Sequence, residues 1–421
     1  MSCTFRRLRV SRPLGESVGL MRVPSATLSL RYQRMLAVLA VLLFFSGVTV
    51  WSFDTGLSPL APNRWLALFG ALSLPLLGPA HFVALARAPL FRWAGAYLAL
   101  TAAWVVLGDP GDIGVIQAQY RLFAVAFLTF ALVVFADPRT HTPARRAMAV
   151  CVVVNALLNL YDLTHPLAFS RDIGRAAGLY VNANISGAAL TLGILLSFGV
   201  LRGIARHAFV IMGAVGVAAT QSRSAALTLV LALLVLTVGG ELRVMRLLVV
   251  ALAALVIGLV VLWVTGQLAV LAPLVSSGEL LQLTRLTSTS GDASVGDFYS
   301  TQSRLEFART AWMTFTNYPL FGGGIGTSGY THNMYLMHLA DHGILGLFIY
   351  PSFVLAALAP FRGQDRRMLG AAALALLVWG LFSHNALEEM HTLLAAALAA
   401  SLSRRTERAT TMAATPATVE I

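Results

Sequence analysis

The chain has 421 residues, 57% of them hydrophobic and 11% charged, at a mean hydropathy of +0.76. Soluble domains carry about 25% charged residues, so a water-soluble globule is excluded and a polytopic membrane protein is indicated. The net charge of +12 comes from thirty arginines and no lysine, and in such a chain it reads as topology before it reads as a nucleic-acid surface.

A basic tail covers residues 1–35 and holds Arg6, Arg7, Arg9, Arg12, Arg22, Arg31 and Arg34. The apolar run from Leu36 to Trp51 follows without a small-residue cleavage site, as in an uncleaved signal anchor. Apolar runs bounded by charged or turn residues then occupy 36–53, 65–86, 91–107, 121–136, 146–161, 184–201, 207–220, 224–239, 246–275, 333–360, 367–383 and 387–402. A hydrocarbon core ~30 Å thick takes roughly 20 residues of helix. The runs therefore predict an all-α polytopic membrane protein with about twelve transmembrane helices. With both ends inside, twenty-two arginines face the cytoplasm and eight face out: Arg64, Arg121, Arg171, Arg175, Arg223, Arg285, Arg304 and Arg309. Span interiors hold almost no ionisable residue, which opposes an ion-coupled transporter. Cys3 and Cys151 imply no disulfide framework.

The expected organisation is a cytoplasmic tail at 1–35, helices one to nine over 36–275, a large external loop at 276–331, helices ten to twelve over 332–402 and a cytoplasmic tail at 403–421. Residues 276–301 are rich in Ser, Thr, Gly and Asp and read as a flexible, lid-like stretch. Ser303 and Glu306 form a capping box, and Leu305, Ala308, Trp312 and Phe315 follow at helical spacing. This predicts a short helix lying along the membrane interface and ending near Asn317, before Pro319.

Next come Pro319-Leu-Phe-Gly-Gly-Gly-Ile-Gly326 and Thr331-His332-Asn333. A Gly-rich turn running into a helix start can expose backbone N–H groups to an anion; it can equally just reverse the chain. His332 is a candidate general base, since an imidazole takes a proton from a hydroxyl near neutral pH. His338 and His342 are spaced i, i+4 beside Asp341, but no third ligand makes a metal pattern. Upstream, Arg175 with Asn182 and Asn184, and Arg223 within Ser222-Arg-Ser224, mark two helix mouths where Arg could pair phosphate or merely anchor the helix. His384, Glu388 and Glu389 lie in the last external loop, either orienting an Arg or the base or forming a polar turn. No Walker loop, nucleophile elbow or Rossmann signature is present.

Together the external motifs resemble the O-antigen ligase and polymerase superfamily of bacterial envelope glycosyltransferases. The resemblance spans roughly 170–360 and rests on Arg175-x-x-Gly178 with Asn182 and Asn184, on Ser222-Arg-Ser224, and on Arg304 followed by Pro319-Leu-Phe-Gly-Gly-Gly. Its most specific stretch runs from Thr331-His332-Asn333 to Gly343-Ile-Leu-Gly346. It implies a glycan donor on undecaprenyl diphosphate, used on the periplasmic face of the bacterial inner membrane without cofactor or metal. The acceptor implied is lipid A-core, with membrane lipids around the protein and no nucleic acid. In that scheme Arg223 and Arg304 hold the diphosphate and His332 acts on the acceptor hydroxyl. Arg175, Asn182, Asn184, Asn333 and Arg309 contact substrate. Polymerases are expected to carry Arg-x10-Gly loops, and Arg171, Arg175, Arg304 and Arg309 each lack that glycine. Together with a short C-terminal region, this favours a ligase over a polymerase or a protein O-oligosaccharyltransferase. A lipid-glycan flippase is the non-enzymatic alternative.

Overall fold

The computed structural model describes residues 24–108, 110–171, 175–240, 295–328, 331–359 and 365–414, and among them the regular elements are helical, with no strand. In chain order the α-helices are α1 (Pro24–Ala40, continued as a π-turn to Phe45), α2 (Val48–Asp54), α3 (Pro62–Ser73), α4 (Pro79–Ala86) and α5 (Pro89–Leu107). They continue with α6 (Gly111–Val134), α7 (His141–Thr164), α8 (Ala183–Ser197), α9 (Gly203–Ala219) and α10 (Arg223–Val238). The last five are α11 (Val295–Asn317), α12 (Met334–His342), α13 (Gly346–Leu358), α14 (Arg366–Gly380) and α15 (Met390–Ala414). Proline opens α3, α4 and α5, where the absent N–H would have had no helical partner anyway.

Among the described residues five helical segments are long and apolar enough to cross a membrane: Pro89–Leu107, Gly111–Val134, Pro138–Thr164, Ala183–Val200 and Met334–Leu358. A sixth is Ser29–Phe45 with Val48–Asp54 if that pair, bent by 48° at Gly47, counts as one span. Gly203–Ala219, Arg223–Val238 and Met390–Ser403 are apolar but shorter. The run at 65–86, expected to be continuous, is two helices, because Pro75 turns Leu74–Leu76 into a tight 3₁₀ turn. The expected span at 246–275 lies outside the described residues, as do 276–294 of the long loop.

α7 packs on α8 and α9, α10 on α14, and α6 on α5 and α15. Close approach comes from small residues, as is usual where lipid removes the hydrophobic drive between helices. A side chain on Gly216 would meet Ala156, and one on Gly193 would meet Val152. Phe44, Phe69 and Phe127 interlock with ring centroids 4.9–5.9 Å apart, joining α1, α3 and α6.

The span interior is not free of charge, contrary to the sequence-based expectation. Arg121, expected at an outer edge, lies within α6 at 1% exposure. Its Nη2 donates to Asp341 Oδ2 at 2.9 Å, and its Nη1 lies 2.9 Å from His342 Nε2. A guanidinium only donates, so His342 Nε2 accepts and the imidazole proton sits on Nδ1. The Tyr97 ring lies 5.5 Å below the guanidinium. The apolar count hid this pair because its members are 220 residues apart in sequence.

Candidate functional site

One face of α7 sets the position of the segment that follows it. Asn155, Asn159 and Asp162 are spaced i, i+4, i+7 and therefore share a face. Asp162 Oδ1 accepts from the backbone N–H of Phe169 and Ser170, and Oδ2 accepts from that of Ala177. Asn155 Oδ1 accepts from Leu179 N–H, while its amide donates to the carbonyls of Ser46 and Cys151. The connection bearing Arg171 and Arg175 is thus sewn to the bundle by buried polar groups. Arg171 also pairs with Asp54 at the end of α2.

Three helix starts share one local device. Among the described residues four non-glycine positions have positive φ: Leu167, Val181, Gln221 and His332. The last three each stand directly before an N-cap: Asn182 for α8, Ser222 for α10 and Asn333 for α12. Asn182 Oδ1 accepts from Asn184 and Ile185 N–H, Ser222 Oγ from Ala225 N–H, and Asn333 Oδ1 from Leu336 N–H. A left-handed β-branched Val181 at φ 63° is costly. Such conformations persist where surrounding structure enforces them and gather at functional sites.

The first two starts meet. Arg175 Nη2 donates to Asn184 Oδ1 at 2.7 Å, and Ser222 Oγ donates to the same oxygen at 2.9 Å. Asn184 therefore ties the Arg175 segment to the head of α10, whose first residue is Arg223, an exposed cation. Asn182 and Asn333 commit their Oδ1 atoms to helix caps.

At the third start, His332 sits at φ 52° between Thr331 and Asn333. Thr331 Oγ1 donates to the Asn333 carbonyl at 2.9 Å and accepts from Asn333 N–H at 3.3 Å, locking the backbone on either side of His332. Burial, then the positive charge of Arg304 on the adjacent α11, lowers the His332 pKa below 6.5. Its ring lies edge-to-face with His384, centroids 4.9 Å apart. His384 belongs to a turn between α14 and α15 built around Asn385. Ser383 Oγ donates to Asn385 Oδ1 at 2.7 Å, and Asn385 Nδ2 donates to Glu389 Oε1 at 2.6 Å. Burial, then His332, pushes His384 down to about 4. Burial raises Glu388 to about 7 and Glu389 to about 8, so near pH 7 Glu388 is about half protonated and Glu389 mostly protonated.

The Asn385 turn bridges the two clusters. His391, just beyond it, meets the Tyr180 ring at 5.6 Å, and Tyr180 precedes the Asn182 cap by two residues. Between them lies a cavity of about 420 Å³ whose walls include Phe44, Leu66, Phe127, Ile185, Glu388 and Glu389. Its lining combines aromatic and aliphatic side chains with the Glu388 and Glu389 carboxyls.

The glycine turn has a different job from the anion cradle considered above. Gly323 N–H donates to the Ala340 carbonyl at 2.8 Å and Gly324 N–H to that of Asp341 at 3.2 Å. These N–H groups close the C-terminal end of α12 rather than opening onto a ligand. α11 is also longer than expected. It begins at Val295, so Ser303 lies inside the helix and not at its cap, and 295–301 are helical rather than flexible. Its end at Asn317 falls where Pro319 predicted. Leu305 and Trp312 are 53% and 54% exposed on α11, as is fitting for a face turned to lipid. Arg304 and Arg309 are exposed on the same helix.

The α7 stripe was missed in the sequence because Asn and Asp in an apolar run look like interruptions. Their i, i+4, i+7 spacing was the available signal. His384 and the Asn385 turn were legible only as polar residues in a short loop.

Residues 207–350, about a third of the chain, are similar to the O-antigen ligase family. No curated protein matches the chain. The matched segment contains Arg223, Arg304, Arg309, His332 and Asn333; Arg175, Asn182, Asn184 and His384 lie outside it.

Proposed function

We propose, from the similarity of residues 207–350 to the O-antigen ligase family, that this chain transfers a glycan from undecaprenyl diphosphate to a sugar hydroxyl of lipid A-core. The reaction takes place on the periplasmic face of the bacterial inner membrane, in a protein of about twelve spans. The observation that carries this reading is His332, a partly buried imidazole held below its usual pKa at a helix start within the matched segment, beside Arg304.

The acceptor hydroxyl attacks the anomeric carbon as its proton passes to the neutral His332 imidazole. The bond from that carbon to the diphosphate oxygen breaks and undecaprenyl diphosphate leaves. Arg223 and Arg304 stabilise the charge growing on the leaving group, since guanidinium pairs phosphate in a fork and preorganised cations favour developing negative charge. Arg175 fixes Asn184, which also accepts from Ser222 next to Arg223. Asn182, Asn333 and Arg309 border the substrate. Arg171, Arg175, Arg304 and Arg309 each lack a glycine eleven residues on, whereas Arg285 of the long loop has one at Gly296, so the Arg-x10-Gly pattern does not separate ligase from polymerase. The sequence-based case against a carrier weakens, since Arg121 and Asp341 do lie within spans, although each is neutralised by the other.

In a strain lacking the gene, long glycan should accumulate on undecaprenyl diphosphate while lipid A-core stays bare on a lipopolysaccharide gel. Core capped with single repeats would identify a polymerase instead. His332→Ala should abolish transfer at unchanged membrane abundance, and Arg304→Lys should not rescue Arg304→Ala. Normal transfer by a well-expressed His332→Ala protein would remove the base assignment.

A further inference from the structure

We propose that His384 is a positioning residue for His332, its ring fixing the plane of the His332 imidazole from the turn between α14 and α15. This rests on the reading of His332 as the base.

The two imidazoles meet edge-to-face, with centroids 4.9 Å apart and planes at 87°. Aromatic pairs favour this geometry because the positive edge of one ring faces the negative face of the other. His332 needs such a partner more than an ordinary helix residue does. It lies before the N-cap of α12, at φ 52°, outside the regular helix, and its backbone is fixed by Thr331 and Asn333. His384, by contrast, stands on a rigid support. Asn385 accepts from Ser383 through its side chain and donates to Glu389, and its carbonyl receives the N–H groups of Glu388 at 2.8 Å and Glu389 at 3.1 Å. The turn is anchored at both ends: Leu381 and Phe382 N–H bond back to α14, and Glu389 stands 3.7 Å from His391 at the head of α15. A ring held by a hydrogen-bonded turn thus braces a ring that stands just outside its helix. Burial and His332 hold His384 down to about 4, which keeps it neutral and unable to repel a protonated His332 during turnover. A base misplaced by about 1 Å can lose on the order of 100-fold in rate.

The test uses the full-length protein in detergent, with purified undecaprenyl-diphosphate-linked glycan as donor and lipid A-core as acceptor. His384→Ala should lower kcat at least tenfold with KM for both substrates unchanged, and His384→Phe, which keeps the ring but has no titratable nitrogen, should restore kcat to within about threefold of wild type. Equal loss in His384→Phe and His384→Ala would overturn the proposal by making a ring nitrogen essential. Wild-type kcat in His384→Ala would overturn it as well. If His384→Ala fails to accumulate in the membrane, His384→Phe alone decides: near-wild-type kcat supports the proposal and a tenfold loss rejects it. Carbethoxylation by diethyl pyrocarbonate, followed at His332 by peptide mass spectrometry, gives a readout independent of turnover. Modification should accelerate several-fold in His384→Ala and not in His384→Phe, and an unchanged rate in His384→Ala would reject the pairing. His332→Ala serves as the control. Were it to retain transfer, the base reading would fall, while the carbethoxylation rates would still judge the ring pair.

Discussion

A guanidinium at 1% exposure inside a helical bundle must have its charge compensated, and Arg121 is compensated by Asp341 and accepted by the lone pair of His342. Removing one partner leaves the other charge buried and bare, which costs about 3–5 kcal/mol, whereas replacing both by apolar residues is often neutral. Asp341→Asn should therefore lower the thermal unfolding midpoint in detergent sharply, and Arg121→Met with Asp341→Leu should recover most of the loss. A wild-type midpoint in Asp341→Asn would mean that the pair does not form. His332 makes a second prediction at this scale. Its pKa lies below 6.5 through burial and Arg304, and the neutral form is the active base. Transfer should hold constant through neutral pH and fall only as pH drops through that lowered value. Arg304→Gln removes a nearby positive charge, so the residual kcat/KM profile should show its acid limb shifted to higher pH. An acid limb that stays put would show that Arg304 does not act on His332.

At the scale of elements, the site is made of helix beginnings. α8, α10 and α12 each have a left-handed residue followed by an Asn or Ser cap at their start; Asn182, Asn184, Arg223, His332 and Asn333 lie within two positions of those caps, Arg175 is tied to one by Asn184, and Arg304 and Arg309 stand on α11. The caps themselves were legible, because Asn and Ser before an apolar run are the ordinary signal. The strained residues before them were not, since nothing in Val, Gln or His announces a positive φ. The glycine turn shows the reverse. Its glycines were plain in the sequence, but their task of closing α12 depended on where Ala340 and Asp341 end up. Gly322 at φ 74° and Gly324 at φ 101° both disfavour a side chain, but only Gly322 lacks space: a Cβ there would lie 2.4 Å from backbone of Asp341 and His342. Gly324→Ala should cost about 1–2 kcal/mol, the left-handed penalty alone. Gly322→Ala should cost markedly more, read as a lower thermal midpoint and reduced membrane yield. Equal effects would show that the turn is not packed against α12.

For the molecule as a whole, the arginine distribution makes a topological prediction. Thr316 near the end of α11 and Arg139 before α7 are both exposed, and the charge bias assigns them to opposite faces. With Cys3 and Cys151 replaced by serine, Thr316→Cys should react with a membrane-impermeant maleimide in spheroplasts, whereas Arg139→Cys should react only after permeabilisation. The opposite pattern would invert the orientation and put the His332 cluster in the cytoplasm.

Composition and hydropathy periodicity determined the class of this protein, because lack of charge over long helical runs leaves no other solvent than lipid. Local patterns also fixed many boundaries: proline opens α3, α4 and α5, and Pro319 marks the end of α11. Motif spacing picked out His332 and the arginines near it. Only the tertiary structure joined Arg121 to Asp341, Arg175 to Ser222 through Asn184, and His332 to His384. The reason is one of range. A cap or a turn is settled by neighbours a few residues away, whereas a buried polar group takes whatever partner the packing of distant helices delivers.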